Sequence, residues 1–121
     1  MHDDPDIFVV DDEPSIANTT SEILRLNGFS SVAFINPHDA LIAVNRACPK
    51  LLIVDLKMPG LSGLDLAIQT RARCPNCELI FFTGHPGPSE ATETHFKFSM
   101  LYKPASPADL ILAVSRIMDD L

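Results

Sequence analysis

Residues 51–63 read LLIVDLKMPGLSG and give the clearest indication of the fold. Its first four residues, Leu51–Val54, are all apolar, which is typical of a strand buried on both faces. The run stops at a carboxylate, Asp55, and continues into a segment of turn-forming proline and glycine residues. Those residues stiffen the loop and permit tight backbone conformations, so the pattern predicts that Asp55 is held rigidly at the end of a core strand.

Similar apolar runs alternate with helical periodicity along the rest of the chain. Strands are predicted at Ile7–Val10, 31–35, Leu51–Val54, 79–82 and Ser99–Tyr102. Helices are predicted at 14–27, from 37, from about 64, and from 107 to the end, with Asn36 and Ser106 as N-caps before proline. This repeated alternation predicts an α/β domain with a parallel sheet. Right-handed crossovers then place all the carboxyl ends of the strands at one edge.

Composition limits the class of protein. A chain of 121 residues with 46% hydrophobic and 21% charged residues is typical of one globular domain. The net charge of −7 argues against nonspecific nucleic-acid binding, which needs a basic face. The apolar runs are too short for a membrane helix, and the acidic start MHDDPD lacks the apolar region of a secretory signal. We therefore expect a cytoplasmic protein.

The chain has three cysteines, an odd number that does not predict a disulfide framework. Cys74 and Cys77 form a C-x-x-C pair, but it follows a helical pattern and precedes a strand. A thioredoxin-like pair has the reverse order, and one such pair supplies only two of the four ligands of a structural zinc site. We interpret the pair as part of an ordinary loop.

Polar residues collect where the predicted strands end. Asp11 and Asp12 follow the first strand, Asp55 the third, Thr83 the fourth and Lys103 the fifth. Each of them alone is common in turns or on surfaces, but open α/β sheets bind their ligands at this edge. The sequence therefore predicts that these residues converge on one crevice.

Carboxylates brought together in this way need a counter-charge. Two like charges about 4 Å apart repel by about 4 kcal/mol at an effective dielectric constant near 20. Lys103 offsets one charge and leaves an excess, which a hard dication such as Mg²⁺ would neutralise with oxygen ligands. Such a site suits a phosphate-bearing ligand, with Asp55 as the nucleophile.

The motifs VVDDE at 9–13, IVDLKMPGLSG at 53–63, FFTG at 81–84 and YKP at 102–104 resemble the receiver domain of two-component response regulators. The resemblance extends from Ile7 to the final helix. It implies a doubly wound, flavodoxin-like sheet of five parallel strands in the order 2-1-3-4-5. It also implies a signalling domain that catalyses its own aspartyl phosphorylation and dephosphorylation and is not a turnover enzyme.

The resemblance assigns roles to individual residues. Asp55 resembles the aspartate that accepts a phosphoryl group from a sensor histidine kinase or a histidine phosphotransfer protein. Asp12 resembles the direct Mg²⁺ ligand and Asp11 its water-mediated partner, and the backbone carbonyl of Lys57 would be a further ligand. Thr83 would bind the phosphoryl group.

Lys103 resembles the second phosphoryl-binding residue, and its bond to Pro104 resembles the family's cis peptide. Lys57 and His85 occupy positions that vary in the family and influence the lifetime of the phosphoryl group. From the net charge and the short apolar runs, we expect no direct contact with nucleic acid or membrane.

Two alternatives compete with a phospho-accepting receiver. A haloacid-dehalogenase-type phosphatase also uses an aspartate after a strand, but it needs a second acid two residues later, where this chain has Lys57. A degenerate receiver would act only as a protein-interaction module. Such proteins usually lack an acid or the lysine, whereas Asp11, Asp12, Asp55, Thr83 and Lys103 are all present here.

The sequence departs from the family between Thr83 and Lys103. Met100 stands where receivers commonly carry an aromatic residue, with Phe98 and Tyr102 on the same face of the strand. The segment 84–100 is short and has prolines and no apolar stripe at helical spacing. We predict that its helix, the fourth in a receiver, is short, irregular or absent. Partner binding should depend on this segment, on a surface that also includes the last strand and helix.

We expect residues 1–121 to form one receiver domain with no output domain in this sequence. Either the receiver acts alone through a downstream partner, or the sequence is part of a longer protein.

Overall fold

A computed structural model describes residues 4–84 and 97–121 of the chain. The strands are β1 (Ile7–Val10), β2 (Ser31–Phe34), β3 (Leu51–Val54), β4 (Glu78–Thr83) and β5 (Ser99–Tyr102). The helices within these residues are α1 (Pro14–Leu26), α2 (Pro37–Arg46), α3 (Gly63–Arg73) and α4 (Pro107–Met118). The observed bounds lie within two residues of the predicted ones, except that α4 ends at Met118, three residues before the predicted end at residue 121.

The five strands form one parallel sheet in the order β2-β1-β3-β4-β5, which confirms the predicted topology. Helices cover both faces. The side chains of β1, β3 and β4 that point to one face pack with α1 and α4, and those on the other face pack with α2 and α3. The three central strands are therefore buried on both sides, which explains why their sequences are apolar without alternation.

Three of the helices begin directly after a residue whose side chain accepts a hydrogen bond from a backbone amide of the first turn. Asn36 Oδ1 accepts a hydrogen bond of 2.8 Å from the His38 amide, and Ser106 Oγ accepts one of 3.0 Å from the Asp109 amide. Both N-caps were predicted from the sequence. Ser62, which was not predicted, caps α3 through the Asp65 amide at 3.1 Å, so this helix begins at Gly63 rather than at residue 64.

The prediction that the cysteines form no disulfide was wrong. Cys48, just before β3, is bonded to Cys74, which ends α3 just before β4. Because β3 and β4 are neighbours in the sheet, the segments that enter them lie side by side. The two Cα atoms are 5.7 Å apart, while Cys77 points into the core as a free thiol.

Two predictions concern residues that the structure does not describe. His85 and the greater part of the segment expected to carry the short or irregular helix, residues 85–96, lie outside the described residues. After that segment, Phe98 and Met100 pack against the α2–α3 side of the sheet, as strand alternation predicted, whereas Tyr102 is exposed. The Phe98 ring contacts the Phe81 ring edge-on, with centroids 5.3 Å apart.

Candidate functional site

Backbone hydrogen bonds extend the sheet one residue past its strand ends and so position the polar residues. The Asp55 amide donates to the Val10 carbonyl at 3.1 Å, directly after the paired residues Val10 and Val54. The Lys103 amide donates to the Thr83 carbonyl at 2.9 Å. The predicted convergence of sites distant in sequence is therefore a consequence of strand register.

Lys103 links two of the carboxylates. Its Nζ donates to Asp11 Oδ2 at 2.6 Å and to Asp55 Oδ2 at 3.4 Å. The side chains of Asp11 and Asp55 are only 3% and 11% exposed, and that of Lys103 is 17% exposed, so water screens these ion pairs weakly. Lys103 Nζ also lies 5.5 Å from the centroid of the Phe82 ring, a contact that sequence reasoning missed.

The environment of Asp55 disfavours its charged form. Burial raises the pKa of this carboxyl, the negative charge of Asp11 raises it further, and the Lys103 cation lowers it without reversing the effect. For Lys103, burial alone would lower the pKa, but the hydrogen bond from Lys103 to Asp11 and the charges of Asp11 and Asp55 raise it. Lys103 therefore remains a cation beside Asp11 and Asp55.

The carboxylates suit a hard metal ion. Asp11, Asp12 and Asp55 each offer an oxygen within 4.8 Å of the other two. Asp11 is held by the Glu13 amide, which donates to its Oδ1 at 3.0 Å. Three carboxylates against one lysine leave a net negative charge, and oxygen donors are what Mg²⁺ prefers. The residues present therefore fit the predicted ion.

The loop after Asp55 packs closely against the backbone of Asp55. Gly60 has φ of +84°, a conformation that glycine adopts readily. Gly63 is needed for another reason, because a Cβ there would lie 1.8 Å from the Asp55 carbonyl oxygen. The Gly63 amide donates to the Leu56 carbonyl at 2.9 Å, so the start of α3 is closely packed against the end of β3.

Thr83 and Lys57, the remaining predicted site residues in the described part of the chain, differ in how deeply they are buried. Thr83 is the last residue of β4 and is fully buried, one residue before the exposed Gly84. The Lys57 side chain is exposed, and its amide nitrogen lies 3.5 Å from Asp55 Oδ1. The structure thus brings Asp11, Asp12, Asp55 and Lys103 together, with Lys57 in contact with Asp55 through its backbone.

The sequence matches a known protein family and several of its members. Residues 7–115 match the response regulator receiver domain. The chain is 31% identical over 111 residues to the DNA-binding transcriptional regulator NtrC of Salmonella typhimurium strain LT2. It is 32% identical over 116 residues to the transcriptional activator protein ExaE of Pseudomonas putida. These matches cover 92% and 93% of this chain but only 24% and 54% of the two regulators.

Solved structures agree with the fold. The receiver domain of AraT, a response regulator from Geobacillus stearothermophilus, superposes with a TM-score of 0.79 at 29% identity, covering 94% of this chain and 92% of that domain. The Vibrio cholerae chemotaxis protein CheY4 gives a TM-score of 0.84 at 23% identity, covering 92% and 96%. At that identity the second likeness shows the fold alone. The family match over most of the chain, together with this fold, shows that the chain belongs to the response regulator receiver domains.

Proposed function

We propose that Asp55 accepts a phosphoryl group from a sensor histidine kinase or a histidine phosphotransfer protein. One observation carries the proposal: a nearly buried carboxylate at the sheet edge has a lysine ammonium 3.4 Å away and two further aspartates beside it. A cation next to the nucleophile attracts the phosphoryl oxygens, and the carboxylates suit the ion that phosphoryl transfer commonly uses.

In the proposed reaction an Asp55 oxygen attacks the phosphorus of a phosphohistidine. The new O–P bond forms as the P–N bond breaks, and the leaving imidazole nitrogen keeps the electron pair and takes a proton from water. Lys103 and the Thr83 hydroxyl would bind the transferred oxygens. Mg²⁺ held by Asp11, Asp12, Asp55 and the Lys57 carbonyl would supply further neutralisation of negative charge.

The acyl phosphate would then change the surface formed by residues 84–100, β5 and α4, and so change the affinity for a downstream protein. We place this receiver in the cytoplasm with its kinase, as one domain over residues 1–121. No helix in residues 4–84 or 97–121 is long and apolar enough to cross a bilayer. The net charge of −7 supports a protein partner over direct nucleic-acid contact.

Incubation with acetyl phosphate and Mg²⁺ tests the proposal. Intact-mass measurement should show one added phosphoryl group that hydroxylamine removes, and Asp55→Asn should abolish it. Asp65→Asn is the matched control, because Asp65 is an exposed aspartate at the start of α3 and should leave labelling unchanged. Label that persists in Asp55→Asn would reject the assignment. A folded protein that takes up no label is the result expected of a receiver that only binds partners, and turnover of p-nitrophenyl phosphate would indicate a phosphatase.

A further inference from the structure

The edge of the sheet opposite Asp55 carries a feature that phosphoryl transfer does not explain, the bond between Cys48 and Cys74. The two cysteines differ sharply in exposure: Cys48 is exposed, whereas Cys74 is only 3% exposed. A dissolved thiol can therefore approach Cys48 from solvent, whereas Cys74 is shielded. Attack at Cys48 would release Cys74 as the leaving thiolate.

A cavity of about 360 Å³ lies over the bond and provides access to it. All three cysteines line it, with Pro49, Lys50, Pro75, Asn76 and Leu121. Its volume is in the range of small-molecule sites. The Lys50 side chain is 60% exposed, and its ammonium lies 3.7 Å from a carboxylate oxygen of Asp6. This exposed ion pair beside the cavity suits a thiol that carries charges of both signs, such as glutathione.

Both cysteines are held in place by contacts that do not depend on their bond. The Cys74 amide donates to the Thr70 carbonyl at 2.6 Å at the end of α3. Next to Cys48, the Ala47 amide donates a hydrogen bond to the Ala43 carbonyl at the end of α2. The Lys50 amide donates to the Asp6 carbonyl at 2.7 Å. Arg73 Nη2 also donates to the Asn45 carbonyl at 3.2 Å, which joins the two helix ends. After reduction the thiols would thus stay close and ready to pair again.

The third cysteine does not compete for the bond. Cys77 is 2% exposed in the core, and burial raises the pKa of its thiol to about 12. Since the thiolate is the attacking form, Cys77 is a poor nucleophile toward the Cys48–Cys74 bond at neutral pH. The three cysteines therefore divide into one exchangeable pair and one inert core residue.

We propose that Cys48 and Cys74 form a reversible thiol–disulfide modification site for a low-molecular-weight disulfide of the glutathione type, and that the oxidation state of this pair sets the stability of the receiver. In the oxidation, the Cys48 thiolate attacks the small disulfide and releases one thiolate. The Cys74 thiolate then attacks the Cys48 sulfur of the mixed disulfide and releases the second. Two protein thiols and one small disulfide become one protein disulfide and two small thiols, which carry the protons away.

The position of the disulfide in the chain explains why its oxidation state should change the stability of the folded domain. The two cysteines are 26 residues apart, and the loop that they close contains β3, Asp55 and α3. Closing a loop of this size restricts the unfolded chain and should raise the Tm by roughly 10 °C. Proteins in a reducing cytoplasm, where we place this receiver, form disulfides mainly as transient responses to oxidants.

The experiment compares oxidised and dithiothreitol-reduced wild-type protein by thermal unfolding, and maps the disulfide by peptide mass spectrometry without reduction. The Tm should fall by roughly 10 °C on reduction. The same treatment should leave the Tm of Cys48→Ser unchanged, and Cys77→Ser should keep the full shift. Oxidised glutathione should form a stable adduct on Cys48 in Cys74→Ser, and react far more slowly with Cys74 in Cys48→Ser.

Equal Tm values for the two forms of the wild type would overturn the proposal, as would a mapped bond to Cys77. The proposal would also be overturned if the reduced protein did not re-form its disulfide in oxidised glutathione. These measurements involve no phosphoryl group, so they stand or fall separately from the role of Asp55. In addition, both forms should accept phosphoryl groups equally from acetyl phosphate, because the pair and Asp55 lie at opposite edges of the sheet.

Discussion

Lys103 donates its shortest hydrogen bond to Asp11, at 2.6 Å, and not to Asp55, the proposed acceptor, which lies 3.4 Å away. The pairing joins residues 92 positions apart and closes the sheet edge around the site. Asp11 therefore holds the lysine in place while leaving its ammonium group within reach of whatever Asp55 carries.

Removing the charge of Lys103 should lower the stability of the folded protein. Lys103→Met leaves Asp11 and Asp55 nearly buried without their cation, and we expect a loss of about 3 kcal/mol in the free energy of unfolding at pH 7. Urea denaturation measures it. Lys50→Met is the control, because the Lys50–Asp6 pair is 3.7 Å long and well exposed, and its loss should cost no more than about 0.5 kcal/mol. Equal losses in the two variants would contradict the structure.

Asp55 should destabilise the metal-free fold at neutral pH. Its pKa is raised in the folded protein, so its contribution to stability is present below its ordinary pKa and is lost as pH rises through the folded value. With divalent ions chelated, we expect Asp55→Asn to have a higher Tm than the wild type at pH 7. The difference should shrink toward pH 3.5, where both side chains are neutral. A constant difference across this range would show that Asp55 ionisation is not its cause.

Magnesium binding should depend on Asp12. Calorimetric titration should show one divalent ion per chain, and Asp12→Ala should weaken its binding by at least about tenfold, because a carboxylate oxygen is lost from the cluster. Asp39→Ala removes an exposed acid in the first turn of α2 and should leave the affinity unchanged. Excess chelator should also stop labelling by acetyl phosphate. Labelling that proceeds unchanged in chelator would exclude a metal-dependent reaction.

Gly63 should tolerate no side chain. A Cβ would overlap the Asp55 carbonyl, so Gly63→Ala must displace the Asp55 backbone. We expect the free energy of unfolding to fall by about 2 kcal/mol and the labelling of Asp55 to slow. Gly28→Ala is the comparison, since Gly28 has φ of +89° but no atom near its missing Cβ. It should cost about 1 kcal/mol through backbone strain and leave labelling unchanged. Equal labelling rates in the two variants would contradict a positional role for Gly63.

The fold and the polar edge were predictable because each depends on a strong local signal. Apolar runs such as Leu51–Val54 indicated the buried strands. Parallel topology alone predicted that Asp11, Asp55 and Lys103 lie at one edge of the sheet, and their hydrogen bonds confirm it. The resemblance to a known family then supplied the strand order.

The parts that sequence reasoning missed depend on side-chain direction in loops. Topology indicated that the segments before β3 and β4 are neighbours, but not that Cys74, rather than Cys77, faces Cys48. Gly63 was expected to permit an unusual backbone conformation, whereas its function is to make room for the Asp55 carbonyl. Contacts of this kind follow from packing in three dimensions and leave no periodic signal in the sequence.

The pairing of Val10 with Val54 links the assembly of the site to the folding of the sheet. Asp11 and Asp55 are the next residues on adjacent strands, whose spacing of roughly 4.8 Å is common to all sheets. A slip of β1 by one residue would separate the two acids. It would also exchange the side chains of β1 between the two core layers, so that Phe8 and Val10 would face the α1–α4 side, where Ile7 and Val9 now pack. A chain misassembled in this way would have a mispacked core as well as a disrupted site around Asp55, so cellular proteases that remove misfolded chains would also remove those without an intact site.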